Sequence, residues 1–278
     1  MKSIKVTLFA LSAFLVLNSP AFADNAYITQ SGEGGDVTIS QTATNVVNPN
    51  TVIVVQGTES SEAIANVEQS GENLLGRVEQ YGTKNTANYK QYGNINSGAI
   101  YQLTTNNNAT VDQSGNNNTF EIYQRSDLSY GGNAVDANYT QSGNENTGLI
   151  QQEGTNHVGE VNQSGNKNSA VIVQIATNNH AQYTQPGNDN LGSIDQGWGG
   201  IDNTATIAQS GNMSSATLTQ QGNSNIGTII QGWGSIDNAA TIDQLGNMNI
   251  ANVGQYANNG IAQVTQTGNI NTTSVSQQ

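Results

Sequence analysis

The sequence contains no cysteine, and only seven of its 278 residues are lysine or arginine. Without thiols it has neither a disulfide framework nor a thiolate metal site. With so few cations it has no basic stripe to displace counterions from a phosphate backbone, which excludes a nucleic-acid binder. Charged residues make up 10% and hydrophobic residues 35% of the chain, against roughly 25% and 45–50% in an ordinary globular domain. That is a poor match to a two-layer domain around one large apolar core. Proline occurs three times, and no apolar run reaches the roughly 20 residues that span a bilayer. The chain is rich in amides instead: 41 Asn and 27 Gln, close to a quarter of the whole, with 31 Gly beside them. Such a composition suits either a disordered, aggregation-prone segment or a repetitive β structure with amide ladders.

Residues 1–23 stand apart. Lys2 and Lys5 are followed by an apolar run from Val6 to Leu17, then Pro20 and the small-x-small triplet Ala21-Phe22-Ala23. This predicts a secretory signal peptide, residues 1–23, cleaved after Ala23. The remainder, 24–278, is expected to be a single repeat domain whose coils are less regular over 24–69. Its charge falls from −13 to 5 − 20 = −15 once Lys2 and Lys5 are gone.

Gln recurs on one lattice from Gln30 to Gln277. Of the 21 intervals along it, sixteen have length 11, three have length 13, one has 15 and one has 17. A longer copy respects the same register: Gln196–Gln209 nearly recurs as Gln231–Gln244, an offset made of one interval of 13 and two of 11. Aligned on the closing Gln, the residue two before it is Ile, Val, Leu or Tyr in all 21 units. The residue four before it is Ala or Gly in 17, and the residue six before it is Asn in 14. The intervening positions are mostly polar, such as Glu68, Glu79, Lys90, Asp112 and Asp195. Alternation with period two is the signature of a strand, and helical i, i+3, i+4 spacing does not occur.

Between these strands lie turns such as Ser114-Gly-Asn-Asn and Ser164-Gly-Asn-Lys, with glycine two after the Gln at Gly93, Gly115, Gly143, Gly165 and Gly187. Glycine and asparagine tolerate left-handed backbone, which suits a tight turn. The predicted fold class is all-β: a two-strand-per-coil, amyloid-like β-solenoid of about ten coils, each made of two 11-residue units. Residues i and i+22 then stack one rung above another, about 4.8 Å apart.

Stacking explains why the inward polar residue is an amide. A column of buried carboxylates would repel at every rung, whereas an amide both donates and accepts along the column. The structural ladder is expected to comprise Gln69, Gln80, Gln91, Gln102, Gln113, Gln124, Gln141, Gln152, Gln163, Gln174, Gln185, Gln196, Gln209, Gln220, Gln231, Gln244, Gln255 and Gln266. Amide-on-amide columns of Asn85, Asn96, Asn107, Asn118, Asn146, Asn168 and Asn190 are expected beside it. On the outer faces, Glu68, Lys90 and Asp112 should form one column, and Glu79 with a stacked pair Tyr101 and Tyr123 the next.

The unit from Gln163 to Gln174 resembles the curlin repeat, whose pattern Gln-x-Gly-x-x-Asn-x-Ala-x-x-x-Gln is met by Gln163, Gly165, Asn168, Ala170 and Gln174. Gln185, Gly187, Asn190, Gly192 and Gln196 match with Gly for Ala, as do Gln91, Gly93, Asn96, Gly98 and Gln102. The resemblance runs from about Gln30 to Gln277. It implies a structural subunit of curli-type extracellular amyloid fibres, secreted and polymerised end to end on the cell surface for adhesion and biofilm matrix. The implied partners are further copies of the chain, a nucleator subunit and an outer-membrane export system. A nucleator or minor-subunit role is compatible with the same residues. The chain departs from the major subunits in reaching its first repeat Gln seven residues after Ala23, with no Gly-rich targeting stretch between, and in having room for ten or eleven coils.

No residue pattern asks for a cofactor, a metal or a catalytic role. The two histidines, His157 and His180, have no ligand-spaced neighbours, and His157 replaces a turn Asn. No nucleophile elbow, phosphate loop or zinc-protease motif occurs. A soluble solenoid binding module would need one repeated residue type on a flat outer face. Ser40, Glu68, Lys90, Tyr101, Asp112 and Thr140 are too varied for that. The Gly-Trp-Gly turns at Trp198 and Trp233 are exposed candidates for ligand contact, more simply read as lengthened turns. No polar cap is apparent after Thr273, so the C-terminal edge is expected to stay open.

Overall fold

The computed structural model describes residues 2–7, 13–16, 24–43, 48–125, 135–197 and 199–278. Ala23, the insertion at 126–134 and Trp198 lie outside the described residues. The described chain is all strand and turn, arranged as two sheets of twelve strands each. One sheet runs Asp36–Ala43, Ile64–Glu72, Thr86–Asn94, Asn108–Gln113, Asp136–Gln141, Val158–Gln163, His180–Gln185, Thr204–Gln209, Ile226–Gln231, Ile250–Gln255 and Thr272–Gln277. The other runs Asn25–Gln30, Thr51–Gln56, Leu75–Gln80, Ser97–Gln102, Thr119–Arg125, Thr147–Thr155, Ser169–Thr177, Leu191–Gln196, Ser215–Gln221, Ala239–Leu245 and Ile261–Thr267. Successive strands in the chain alternate between sheets, so these eleven strands of each sheet build eleven coils of a β-solenoid. Within each sheet they pair in parallel.

The twelfth strand of each sheet comes from residues 1–23: Lys2–Thr7 pairs antiparallel with Asp36–Ala43, and Ala13–Val16 pairs antiparallel with Asn25–Gln30. Both lie on the N-terminal edge.

Register follows the glutamine lattice. Gln69 pairs with Gln91 and Gln91 with Gln113. Where the interval lengthens, the strands stay aligned, so Gln113 still faces Gln141. Alternate residues point inward, as in Thr51–Gln56, where Val52, Val54 and Gln56 are fully buried. One apolar cluster runs from Ala26 to Val264 between the sheets.

The small inward residue makes room for aromatic rings. Three aliphatic positions carry buried tyrosines, Tyr89, Tyr139 and Tyr183. The facing position is then glycine: a Cβ on Gly76, Gly148 or Gly192 would collide with the ring or hydroxyl of those tyrosines. Phe120 fills a small-residue slot and lies over Gly98; it meets Tyr89 edge-on at 5.0 Å and stacks on Tyr139 at 5.4 Å.

Candidate functional site

Glutamines form two columns, one on each sheet. On the first, Nε2 of each residue donates to Oε1 of the next along Gln41, Gln69, Gln91, Gln113, Gln141, Gln163, Gln185, Gln209, Gln231, Gln255 and Gln277, at 2.7–3.0 Å. On the second, the same bond runs from Gln56 through Gln80, Gln102, Gln124, Gln152, Gln174, Gln196, Gln220 and Gln244 to Gln266, at 2.8–3.1 Å. Every donor points toward the C-terminal end. The other Nε2 hydrogen crosses to the opposite sheet, as in Gln102 to the carbonyl of Thr86 and Gln152 to that of Asp136, both within hydrogen-bond distance. A glutamine bonded in both ways holds its column and ties the two sheets together. Tyrosine hydroxyls join this network: Tyr139 donates to Gln163 and accepts from Gln141, and Tyr183 donates to Gln209.

The second column stops at the first coil. Gln30 turns its Nε2 to the carbonyl of Gly35, and Oε1 of both Gln30 and Gln56 is buried without a partner.

The inward asparagines differ from the amide-on-amide columns expected of them. Oδ1 of Asn96 accepts from the backbone N–H of Asn118, Asn118 from Asn146, Asn146 from Asn168, and Asn168 from Asn190, at 2.9–3.0 Å. Nδ2 then donates to a turn carbonyl of the next coil: Asn96 to Gly115, Asn118 to Gly143, Asn146 to Gly165 and Asn168 to Gly187, at 2.7–2.8 Å. On the other corner Asn85 accepts from the N–H of Asn107 at 3.0 Å. The reason is reach. Asparagine is one methylene shorter than glutamine and sits beside the turn, so its amide meets backbone before it meets the next amide. In the described turns an amide-to-amide contact in this corner is made by Asn271 to Asn249, in the last coil.

Glycine two after the Gln is explained by stacking more than by backbone freedom. Gly93, Gly115 and Gly143 have φ near +100° as expected, but Gly165 and Gly187 do not. What they share is a neighbour: a Cβ on any of the five would overlap the carbonyl oxygen of the equivalent glycine in the next coil. The left-handed position is the residue just before the inward Asn slot, occupied by Lys84, Ile95, Glu145, Lys167, Met213 or Met248, all with φ of 53–58°.

Sequence reasoning missed a third ladder, on the exposed turn. Asn116, Asn144, Asn166, Asn188 and Asn212 are bonded in series, Nδ2 to Oδ1, at 2.9–3.2 Å. The recurrent Gly-Asn pair, with its Asn three after each Gln, is its signal.

Outside, Tyr101 and Tyr123 stack at 4.6 Å with their rings 9° apart. The Tyr123 hydroxyl donates to Glu121, and this bond raises its pKa to about 12. Lys90 is the register partner of Glu68 and Asp112. The ion pairs among the described residues are elsewhere: Arg77–Glu79, Lys84–Glu62 and Arg125–Glu153. Trp233 is 81% exposed. Among the described residues no group of three His, Cys, Asp or Glu is placed to hold a metal ion, and no helix is long and apolar enough to cross a membrane.

The geometry defines a class first: an amide-laddered β-solenoid whose coils are near-copies of each other. The curlin associated repeat family model matches residues 93–125, so that stretch carries a curlin repeat. The matched segment carries the Gln102, Gln113 and Gln124 rungs with the Asn96, Asn107 and Asn118 corners. No curated protein matches the chain. The curlin repeat and the β-solenoid together fit a curli-type subunit family.

Proposed function

We propose that the chain is a structural subunit of curli-type extracellular fibres, polymerising end to end at the cell surface and serving adhesion and biofilm matrix. The observation that carries this is the C-terminal edge. The coil of Ile261–Thr267 and Thr272–Gln277 keeps the repeat pattern and lies at the edge of both described sheets: Ile261 is 78% exposed, and Val275 is only partly buried against the core. A parallel edge is a template for another strand. Gln266 and Gln277 end their columns as acceptors from Gln244 and Gln255, Nε2 of Gln277 donates to the Ile261 carbonyl and to no column partner, and Gln30 at the opposite end holds an unpaired acceptor oxygen. Coils that are near-copies of each other make a second copy the natural partner for such an edge.

Residues 1–23 fit this reading as a secretory leader. Their strands occupy the N-terminal edge, so cleavage after Ala23 would free it. Export through the outer membrane and initiation by a nucleator subunit belong to the same proposal, and a nucleating role for this chain is its alternative. The test is to incubate chain 24–278 with a cross-β dye and image it by electron microscopy. Fibres with dye binding are expected; protein that stays monomeric and dye-negative for days would contradict the proposal.

A further inference from the structure

The corner column that contains Asn85 and Asn107 continues through Val135 and His157 to Asn179 and Asn203. Two things go wrong in its middle. Val135 brings no amide, and Oδ1 of Asn107 below it is buried with no partner. The next residue, His157, is fully buried and takes over the asparagine's role with an imidazole. Its Nδ1 accepts from the backbone N–H of Asn179 at 3.3 Å, as an asparagine Oδ1 would. Its Nε2 lies 3.2 Å from the carbonyl of Glu153 and also faces the carbonyl of Ala176, the two places where an asparagine Nδ2 donates. One acceptor facing an N–H and one donor facing carbonyls fix the neutral Nε2–H tautomer. A second proton has only Nδ1 to occupy, where it would point at the N–H of Asn179 and break the bond that joins this coil to the next.

We propose that His157 is an acid-sensitive latch: mild acid opens the solenoid at the seam between the strands Val158–Gln163 and His180–Gln185, where His157 meets Asn179. The surrounding charges do not offset protonation. Glu153, four residues before it, is already paired with Arg125. Asp136, whose N–H donates to the His157 carbonyl, and His180 on the following coil are exposed, and the Glu160 carboxylate accepts from Gln182 on the outer face. The histidine pKa is lowered to about 4, chiefly by burial. The folded state therefore binds the proton less readily than the unfolded chain. The stability it contributes is present above the ordinary value of 6.5 and is lost as the pH falls toward 4, on the order of a 100-fold shift in the opening equilibrium.

The experiment is hydrogen exchange of the purified chain at pH 7.5 and pH 4.5, each corrected for intrinsic rate, in the wild type, His157→Asn and His180→Asn. Protection of Thr147–Thr155, Val158–Gln163 and His180–Gln185 is expected to fall in the wild type and His180→Asn at pH 4.5, and to persist in His157→Asn. Equal loss in all three would overturn the proposal. Nitrogen-15 NMR of histidine-labelled chain gives a readout that needs no variant. A His157 imidazole still neutral, with the proton on Nε2, at pH 5 supports the latch; a charged imidazole at that pH overturns it.

Discussion

The glutamine columns and the asparagine corners are built from the same functional group, yet they tolerate change very differently. The first glutamine column is continuous from Gln41 to Gln277. The corners carry Leu74, Val135, His157, Ser214 and Gly260 in place of asparagine. Glutamine bonds side chain to side chain, so one replacement leaves an orphan on either side. Asparagine accepts from a backbone N–H, which a replacement residue can still supply, although Oδ1 of Asn107 beneath Val135 has no partner. Leu74 and Gly260 still donate to Asn50 and Asn238 at 3.1 and 2.8 Å. The corner can be edited one residue at a time, whereas the column is constrained as a unit.

The comparison is open to attack at several points. Replacing Gln113 and Gln163 together with Leu should have the largest effect, because Gln91, Gln141 and Gln185 each lose a column partner. At about 1–3 kcal/mol per orphaned buried group, denaturant melts should show several kcal/mol lost, and fibre lag times should lengthen. An unchanged lag would deny the column any role in assembly. Gly165→Ala comes next: its methyl would overlap the carbonyl of Gly187, and overpacking of this kind costs about 1–3 kcal/mol. Asn168→Ala removes the bonds to Asn190 and Gly187 but leaves both columns intact. A loss of about 1–2 kcal/mol, below that of a single Gln163→Leu, is expected in the same melts; a larger loss would reverse the ranking of column over corner. Outside the core the effects shrink. Tyr101→Ala should cost about 0.5–1.5 kcal/mol through its stack on Tyr123, and Arg125→Ala no more than about 1 kcal/mol, since the pair with Glu153 is half-exposed.

Much of this was legible in the sequence because a solenoid writes its third dimension into its period. Residue i+22 is the spatial neighbour of residue i, so the strands, the coil, the glutamine register and the Tyr101–Tyr123 stack all follow from counting. What did not follow depends on side-chain length and on contacts between unlike positions. The corner asparagines bond backbone because they are one methylene short of their neighbours. The pairing of Tyr139 with Gly148, and of Tyr183 with Gly192, joins opposite sheets and so is invisible to a period read along one column. The turn glycines were read for their freedom at positive φ, when Gly165 and Gly187 are held by the carbonyl of the next coil. His157 was read as a turn residue; its burial comes from occupying the asparagine slot, six before Gln163.

The central claim is that the ladder of one chain continues into the next, end to end. Fibres grown from equal parts of nitrogen-15 and carbon-13 glutamine-labelled chain test it directly by solid-state NMR, through contacts between Nε2 of one copy and Cδ of another. Intermolecular contacts confined to the chain ends, joining Gln266 and Gln277 to Gln30 and Gln41, are predicted. Contacts spread along the middle rungs, such as Gln113 to Gln113, would mean that chains stack side by side and would contradict the account.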